Sequence, residues 1–425
     1  MVGQPEIETM VDAADWDIVV IGAGAAGLMA AIRAAERGRR VLVLEKNRKA
    51  GVKILMSGGT RCNLTHATDN RGIVEAFGPP GRFLHSSLAA FSVQDTLAWF
   101  ESAGVATKVE ETGKIFPVSN KALDVLNALL NRLHQSGARL SLEEPLLDLQ
   151  LRSPGFLLTT SRRTLHAPRV ILTTGGQSYP GSGTSGDGYA WTERLGHTIV
   201  PPRPALVPVT VAVPWVAELR GVTLPDVQVR VLEADKTLAS RRGSLLFAHF
   251  GLSGPVILDV SRAVSGHPRP QSLVLEIDLA PDLDEPDLDE TLRLETAASG
   301  KKLLATAFPD CLPRRLCETL LTLCKMPQDR KAAALSRADR LSLVVAIKRL
   351  RLPISGTLGF GRAEVTAGGV ALNEVDSRAL SSKRVPDLYL AGELLDLDGP
   401  IGGYNFQAAW STGWLAGERA ASPNG

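Results

Sequence analysis

The spacing of apolar residues changes several times along the chain, and each change marks an element. Ile18-Val19-Val20-Ile21 is an unbroken β-branched run, the signature of a short buried strand. Gly22 to Gly27 follows, then an amphipathic stretch to Arg37-Gly38 and a second apolar run, Val41 to Leu44, ending on Glu45. That order predicts strand, glycine turn, helix and strand. Lys46 to Thr65 is basic, rich in small residues and without sustained periodicity, which predicts a loop with little regular structure. Helical spacing returns over Ser92–Gly104 and again over Ala122–Gly137, where Leu123, Val125, Leu126, Leu129, Leu130 and Leu133 share a face. Strands are expected within Val105–Val118, within Ala138–Thr160, and at Val170-Ile171-Leu172, which stops at Thr173-Thr174-Gly175-Gly176.

Beyond Pro201-Pro202-Arg203-Pro204, which reads as a linker, the pattern becomes that of a small β-domain. Short runs at Val207–Val213, Val227–Leu232, Leu245–Ala248, Val256–Val260 and Leu273–Ile277 are separated by turn signals. The acidic Asp282–Glu290, containing Pro286, reads as a solvated connector, and Leu292–Leu350 as helical. Pro353, Gly356, Gly359 and Gly361 end the helical block. Glu364–Leu372 resumes β-structure, and Asp387–Glu393 is a buried strand closing on a glycine and an acid.

With 425 residues, more than one domain is expected. A net charge of +2 does not impose a nucleic-acid partner, although Arg39-Arg40, Arg162-Arg163, Arg241-Arg242 and Arg314-Arg315 could build a basic face. Ile18–Ile32 is too short and glycine-rich for a membrane span. Met1–Asp15 carries acids but no Lys or Arg, the reverse of a secretory leader, so a cytoplasmic location is expected. Cys62, Cys311, Cys317 and Cys324 match neither zinc nor C-x-x-C spacing, which suits a reducing compartment and predicts no metal site.

The chemistry begins at Gly22-Ala23-Gly24-Ala25-Ala26-Gly27, a G-x-G-x-x-G between strand and helix. Gly22 makes the turn, Gly24 admits a pyrophosphate, and Gly27 lets helix and strand approach. Glu45 is placed for a ribose 2′-hydroxyl and disfavours a 2′-phosphate. In the following basic loop, Lys53 and Arg61 bring charge, Gly58-Gly59 close backbone approach, and Asn63 a donor and an acceptor. Gly181–Gly186 repeats the glycine spacing, but the polar Gln177-Ser178-Tyr179-Pro180 separates it from its strand, and Asp187 stands where a phosphate-binding helix would begin. It reads as a loop edging the active site. At the far end, Glu393 can hold the hydroxyls of a ribityl chain. Gly402-Gly403 turns the chain into a helix whose first N–H groups would face the electron-accepting end of a flavin.

Together, Gly22–Glu45, Ser57-Gly58-Gly59-Thr60-Arg61-Cys62-Asn63, Thr174-Gly175-Gly176, Phe247–Pro255 and Gly392-Glu393 through Gly402-Gly403-Tyr404-Asn405 resemble the YhiN-like flavoproteins, also called the aminoacetone oxidase family. The resemblance covers nearly the whole chain. It implies an α/β fold: a Rossmann-like FAD-binding domain of the two-dinucleotide-binding-domain type, with an inserted antiparallel β-domain and a small helical subdomain. The corresponding ranges are 1–203 and 373–425 for the FAD domain, 204–282 and 353–372 for the β-domain, and 283–352 for the helices. It also implies FAD contacts at the matching loops: Gly22, Gly24, Ala25, Ala26 and Gly27; Glu45, Lys46 and Lys53; Ser57, Gly58, Gly59, Arg61, Cys62 and Asn63; Leu146; Thr174, Gly175 and Gly176; and Gly392, Glu393, Gly402, Gly403, Tyr404, Asn405 and Phe406. The chain departs from the family pattern at Thr60, usually a third glycine, and at Val52, usually an arginine.

The resemblance implies an oxidoreductase working at flavin N5, with NADH or NADPH as candidate electron donor. Amine oxidation, reduction of an enone-type double bond, and reduction of uridine to dihydrouridine in ribosomal RNA all fit that chemistry, as does a flavin sensor without turnover. A small-molecule substrate leads, with ribosomal RNA as the alternative partner. His249, Tyr179, Arg61 and Asn63 are the candidates at the reacting face, with His249 as proton donor because a histidine ordinarily titrates near neutral pH. Cys62 has no resolving cysteine beside it, which argues against a redox thiol.

Overall fold

The computed structural model describes residues 16–298, 300–309 and 312–422. The acidic leader Met1–Asp15 and Cys311 lie outside the described residues. Two compact units result, one built from the chain up to Pro202 and from Val365 onward, the other from Arg203–Glu364.

In the first unit a five-stranded parallel sheet runs in the order Leu388–Leu390, Arg169–Leu172, Ile18–Ile21, Val41–Leu44, Arg139–Ser141. Ile18, Val19 and Val20 are fully buried, as strands covered on both faces require. The strand order reverses at Ile18–Ile21, so the crevice above its carboxyl end is the switch point at which such sheets bind ligands. An antiparallel meander, Leu146–Leu151, Phe156–Thr160 and Thr164–Ala167, joins this unit.

The two ends of the chain meet helix against helix. The alanine-rich Ala25–Glu36 packs on Tyr404–Ala421 through Gly413 and Gly417. A Cβ at Gly413 would lie 2.3 Å from the Ala26 carbonyl oxygen, and one at Gly417 would lie 2.3 Å from that of Ala30. Only hydrogen fits at both positions. On the flank, Arg33 stacks 4.4 Å over Trp414 and binds Glu418 at 2.5 Å.

The second unit is a closed barrel ordered Val209–Val211, Gly251–Ser253, Lys236–Ala248, Thr223–Glu233, Leu273–Asp278, Leu350–Thr357. Alternate residues such as Val227, Val229 and Val231, or Leu275 and Ile277, point inward. The helices Glu285–Ala298, Arg314–Leu323 and Arg337–Lys348 bury Leu288, Leu292, Leu316, Leu320, Leu343 and Ile347 in the same core. Among the described residues no helix is long and apolar enough to cross a membrane.

Five local expectations are corrected. Within the supposed loop Lys46–Thr65, a helix begins at Val52, started by the left-handed Gly51, whose N–H reaches the Ala23 carbonyl, and anchored by buried Ile54. The stretch Pro201–Pro204 is not a free linker but part of strand Ile199–Ala205, whose prolines are tolerated because it pairs with Val365–Val370 alone. Val256–Val260 is helical, within Pro255–Ser265. Pro255 sits at the first turn, and Val256, Val260 and Val264 recur every four residues, a period that a five-residue window hides. Asp282–Glu290 is largely helix: Asp284 accepts the Asp287 N–H at 2.8 Å, and acids suit a helix start. Finally, Pro353 lies inside a barrel strand, beside a bulge at Thr210/Val211.

The helix crossing yields a direct test. Gly413→Leu should cost at least about 1–3 kcal/mol through overpacking, read as a lower denaturation midpoint by far-ultraviolet circular dichroism. An unchanged midpoint would contradict the close approach.

Candidate functional site

At the carboxyl edge of the sheet the three glycines of the first motif divide their work as spacing suggests. Gly22 has φ 101° and donates its N–H to the Leu44 carbonyl at 2.8 Å. A Cβ at Gly27 would fall 1.8 Å from the Gly22 oxygen, so that glycine is fixed by packing. Gly24 is different: nothing lies within 4 Å of its virtual Cβ, and it starts the helix without a side-chain cap. The first-turn N–H groups at Ala25 and Ala26 therefore face open space, the arrangement that receives a phosphate.

Glu45 is more than a ribose acceptor in waiting. Its Oε2 accepts the Ala23 N–H at 2.8 Å and its Oε1 the Asn47 N–H at 2.9 Å, so it braces the glycine loop from the next strand. Lys46 reaches Ser185 and Asp187, both at 2.5 Å, and Asn47 donates to the Ser182 carbonyl. The second glycine-rich segment is thus tied to the first, and the Asp187 carboxylate occupies its helix start.

Beside this edge lies a network that sequence reasoning only half found. Lys53 Nζ lies 2.5 Å from Glu393 Oε2 and 2.8 Å from Ser178 Oγ. Ser178 Oγ in turn donates to Glu393 Oε1 at 2.8 Å, an atom that also accepts the Thr366 N–H at 2.9 Å. Lys53 and Glu393 carried sequence signals; Ser178 sat unnoticed in a polar spacer, and Thr366 had no signal at all. Thr366 Oγ1 accepts the N–H groups of Gln177 and Ser178. A Cβ at Gly176 would meet that hydroxyl at 2.3 Å and Glu393 Oε1 at 3.0 Å. Gly175 has φ 72°, and Gly392, with φ 73°, lies against Ala26. The Thr174 hydroxyl is buried without a partner.

The third part is Ser57–His66 with the start of the last helix. Ser57 breaks the preceding helix, its hydroxyl donating to the Ile54 carbonyl at 2.9 Å. Gly58, Gly59 and Thr60 then run left-handed. Arg61 is engaged by Glu110 at 2.7 Å and stacks 3.9 Å over Phe116. Cys62 is fully buried and its thiol is pushed up to about 12 by that burial, against a smaller opposing contribution from Ser57. Asn63 is buried with Oδ1 unpartnered. His66, absent from the sequence candidates, lies 3.1 Å through Nδ1 from the Gly402 carbonyl and stacks at 4.6 Å on Tyr404. Gly402 and Gly403 have φ 124° and 99°, and Gly403 caps the helix without a side-chain bond.

Other candidates take supporting places. Asn405 spends its carboxamide on Gly399 and Pro400, shaping the turn, and Phe406 stacks on Trp410. Leu146 is a buried core residue. Tyr179 is half-buried with φ 52°, next to the Lys53 network. His249 belongs to the second unit, exposed in the turn between two barrel strands, its ring edge-on to Phe250.

An open, uncapped helix start at Gly24, a glycine cradle no Cβ could share, and buried unpartnered atoms at Asn63 and Thr174 fit a bound dinucleotide. The fold and site define an FAD-dependent oxidoreductase. The chain belongs to the family described as HI0933-like protein Rossmann domain, whose profile matches residues 16–419. It is 35% identical over 406 residues to the ribosomal RNA dihydrouridine synthase of Escherichia coli (strain K12), covering 95% of this chain and 97% of that protein. It is 33% identical over 407 residues to the 3-dehydro-bile acid delta(4,6)-reductase of Clostridium scindens, covering 95% and 98%. Among solved structures, 3-ketosteroid-delta4-(5alpha)-dehydrogenase from Rhodococcus jostii RHA1 shares the fold at TM-score 0.50 and 16% identity, covering 97% of this chain and 98% of that one.

Two tests follow from the geometry. Gly24→Val should leave the denaturation midpoint nearly unchanged yet abolish FAD retention, whereas Gly27→Ala should lower both, measured by flavin absorbance after gel filtration; retained FAD in Gly24→Val would refute the phosphate assignment. Iodoacetamide at pH 8 should leave the Cys62 peptide unmodified in the native protein and alkylate it after unfolding, read by peptide mass mapping.

Proposed function

We propose that this protein is a reductase that saturates a carbon–carbon double bond conjugated to a carbonyl, with NADH or NADPH as the ultimate electron source. The observation that carries this reading is the pair of relatives similar along nearly the full chain, whose names both describe adding hydrogen to a carbon–carbon double bond. In uracil, and in a ketone with an adjacent alkene, that bond is polarised by a carbonyl. The balance is one hydride equivalent and one proton added to the substrate for each nicotinamide oxidised. Bound FAD supplies the two-electron carrier between them.

The chain's own residues hold that carrier. The open helix start at Gly24 would take the pyrophosphate, and Glu45 the adenosine ribose. Glu393, fixed by Lys53, Ser178 and Thr366, keeps Oε2 lone-pair capacity for a ribityl hydroxyl. The uncapped start of Tyr404–Ala421 would place its positive end at the ring, favouring the reduced, more negative form. Tyr179 and His249 are the proposed proton donors, since Arg61 is committed to Glu110.

Uridine in ribosomal RNA is the particular substrate favoured by the two relatives named ribosomal RNA dihydrouridine synthase, at 35% and 32% identity. The arginine pairs add nothing to it: Arg242 is held by Asp226 and Asp282, Arg314 by Glu318, Arg163 by Glu144 and Arg40 by Asp17.

Anaerobic NADH or NADPH should bleach the flavin of the purified protein, and an enone should restore its colour. Nucleoside mass spectrometry of ribosomal RNA from cells lacking the gene should show dihydrouridine falling. Unchanged dihydrouridine would remove the RNA substrate; a flavin that neither nucleotide bleaches would remove the electron donor.

A further inference from the structure

Ser57–Asn63 concentrates backbone strain around one unpaired group. Gly58, Gly59 and Thr60 hold φ of 56°, 66° and 68°, and Cys62 follows at 61°. For a β-branched threonine this conformation is an outlier, and such outliers persist only where the surroundings enforce them. They do so here. The Cys62 N–H donates to the Ser57 carbonyl at 3.1 Å, the Leu64 N–H to the Ile115 carbonyl at 2.8 Å, and Trp410 Nε1 to the Leu64 carbonyl at 2.9 Å.

What these constraints position is Asn63. It is 9% exposed, and its Oδ1 is sealed from solvent without a partner. An unpaired buried amide is costly, and one held by a strained segment points to a ligand that completes it. The two ends of a carboxamide are interchangeable by a flip, so its N–H₂ can face that ligand. The neighbourhood agrees: two residues on, the Thr65 carbonyl abuts Gly403, the uncapped start of the last helix, where partial positive charge gathers.

We infer that Asn63 is the hydrogen-bond donor to a conjugated carbonyl oxygen that gains negative charge during two-electron transfer, an oxygen of either the flavin's pyrimidine ring or the substrate. The inference rests on the reductase reading. In that reaction the hydride equivalent goes to the carbon β to the substrate carbonyl, a proton goes to the α-carbon, and a reduced nicotinamide supplies the electrons. A preset amide N–H stabilises the oxygen where charge builds, without reorganisation.

The test uses full-length holoprotein carrying Asn63→Asp, nearly isosteric but without the donor, and Asn63→Ala. Three quantities are measured against wild type: FAD dissociation constant, two-electron midpoint potential, and reoxidation rate by 2-cyclohexenone and by uridine. If the oxygen is the flavin's, both variants lower the potential, by about 30 mV for each tenfold loss of preference for the reduced form. If it is the substrate's, potential and FAD affinity hold while kcat/KM for the probe falls about tenfold or more. Variants matching wild type in all three overturn the assignment. Should wild type reduce neither probe, the substrate class fails by itself; Asn63 is then decided by potential alone, and an unchanged potential overturns it.

Discussion

The contact on which the first unit depends is the close crossing of its first and last helices. Because Gly413 and Gly417 carry no side chain, the helix Tyr404–Ala421 lies directly on the carbonyls of Ala26 and Ala30. That approach fixes where the helix begins. Its start then falls at Thr65, while Gly392 meets Ala26 at the glycine motif. Gln407, fully buried one turn in, ties the arrangement together by accepting from Thr65 and donating to Thr96 and Ser411. A buried amide so paired specifies one register of the helix against its neighbours, since any slide would leave it unsatisfied.

Around this frame the sheet edge is organised by paired charge. Two carboxylates, Glu45 and Glu393, stand at strand tips, and each is already held: Glu45 by backbone N–H groups, Glu393 by Lys53, Ser178 and Thr366. Lys46 is likewise held by Asp187. Groups fixed in this way keep their positions as a ligand arrives, so little ordering remains to oppose binding. Asn63 and Thr174 are the exceptions, each with a buried atom unpaired, and an unsatisfied group inside an otherwise saturated site is where ligand contacts gain most.

Much of the site was legible because its residues answer to local backbone rules. The first glycine motif, Glu45, the Gly175-Gly176 stop and the Gly402-Gly403 turn each require a conformation or clearance that few residue types allow, so composition reveals them. Lys53 and Arg61 were legible as charge, but not as partners of Glu393 and Glu110, which lie 340 and 49 residues away in the chain. Ser178, Thr366 and His66 left no trace, because a serine, a threonine or a histidine suits many surroundings and only its neighbours give it a task. The helix at Val52 and the one at Pro255 were missed for a related reason: each is anchored by one apolar face too short for its period to stand out.

The sequence by itself determined the class of fold, the dinucleotide motif at one end and its complement at the other, since strand periodicity and glycine spacing are local consequences of backbone geometry. Tertiary structure alone decided that the helix carrying Gly413 and Gly417 lies on the one carrying Ala26 and Ala30, that Lys53 pairs with Glu393, that Arg61 is already spent on Glu110, and that Asn63 is left buried and unpaired. These are statements about which groups meet across long stretches of chain. They depend on close packing and on the completeness of hydrogen bonding, which no local pattern of residues encodes.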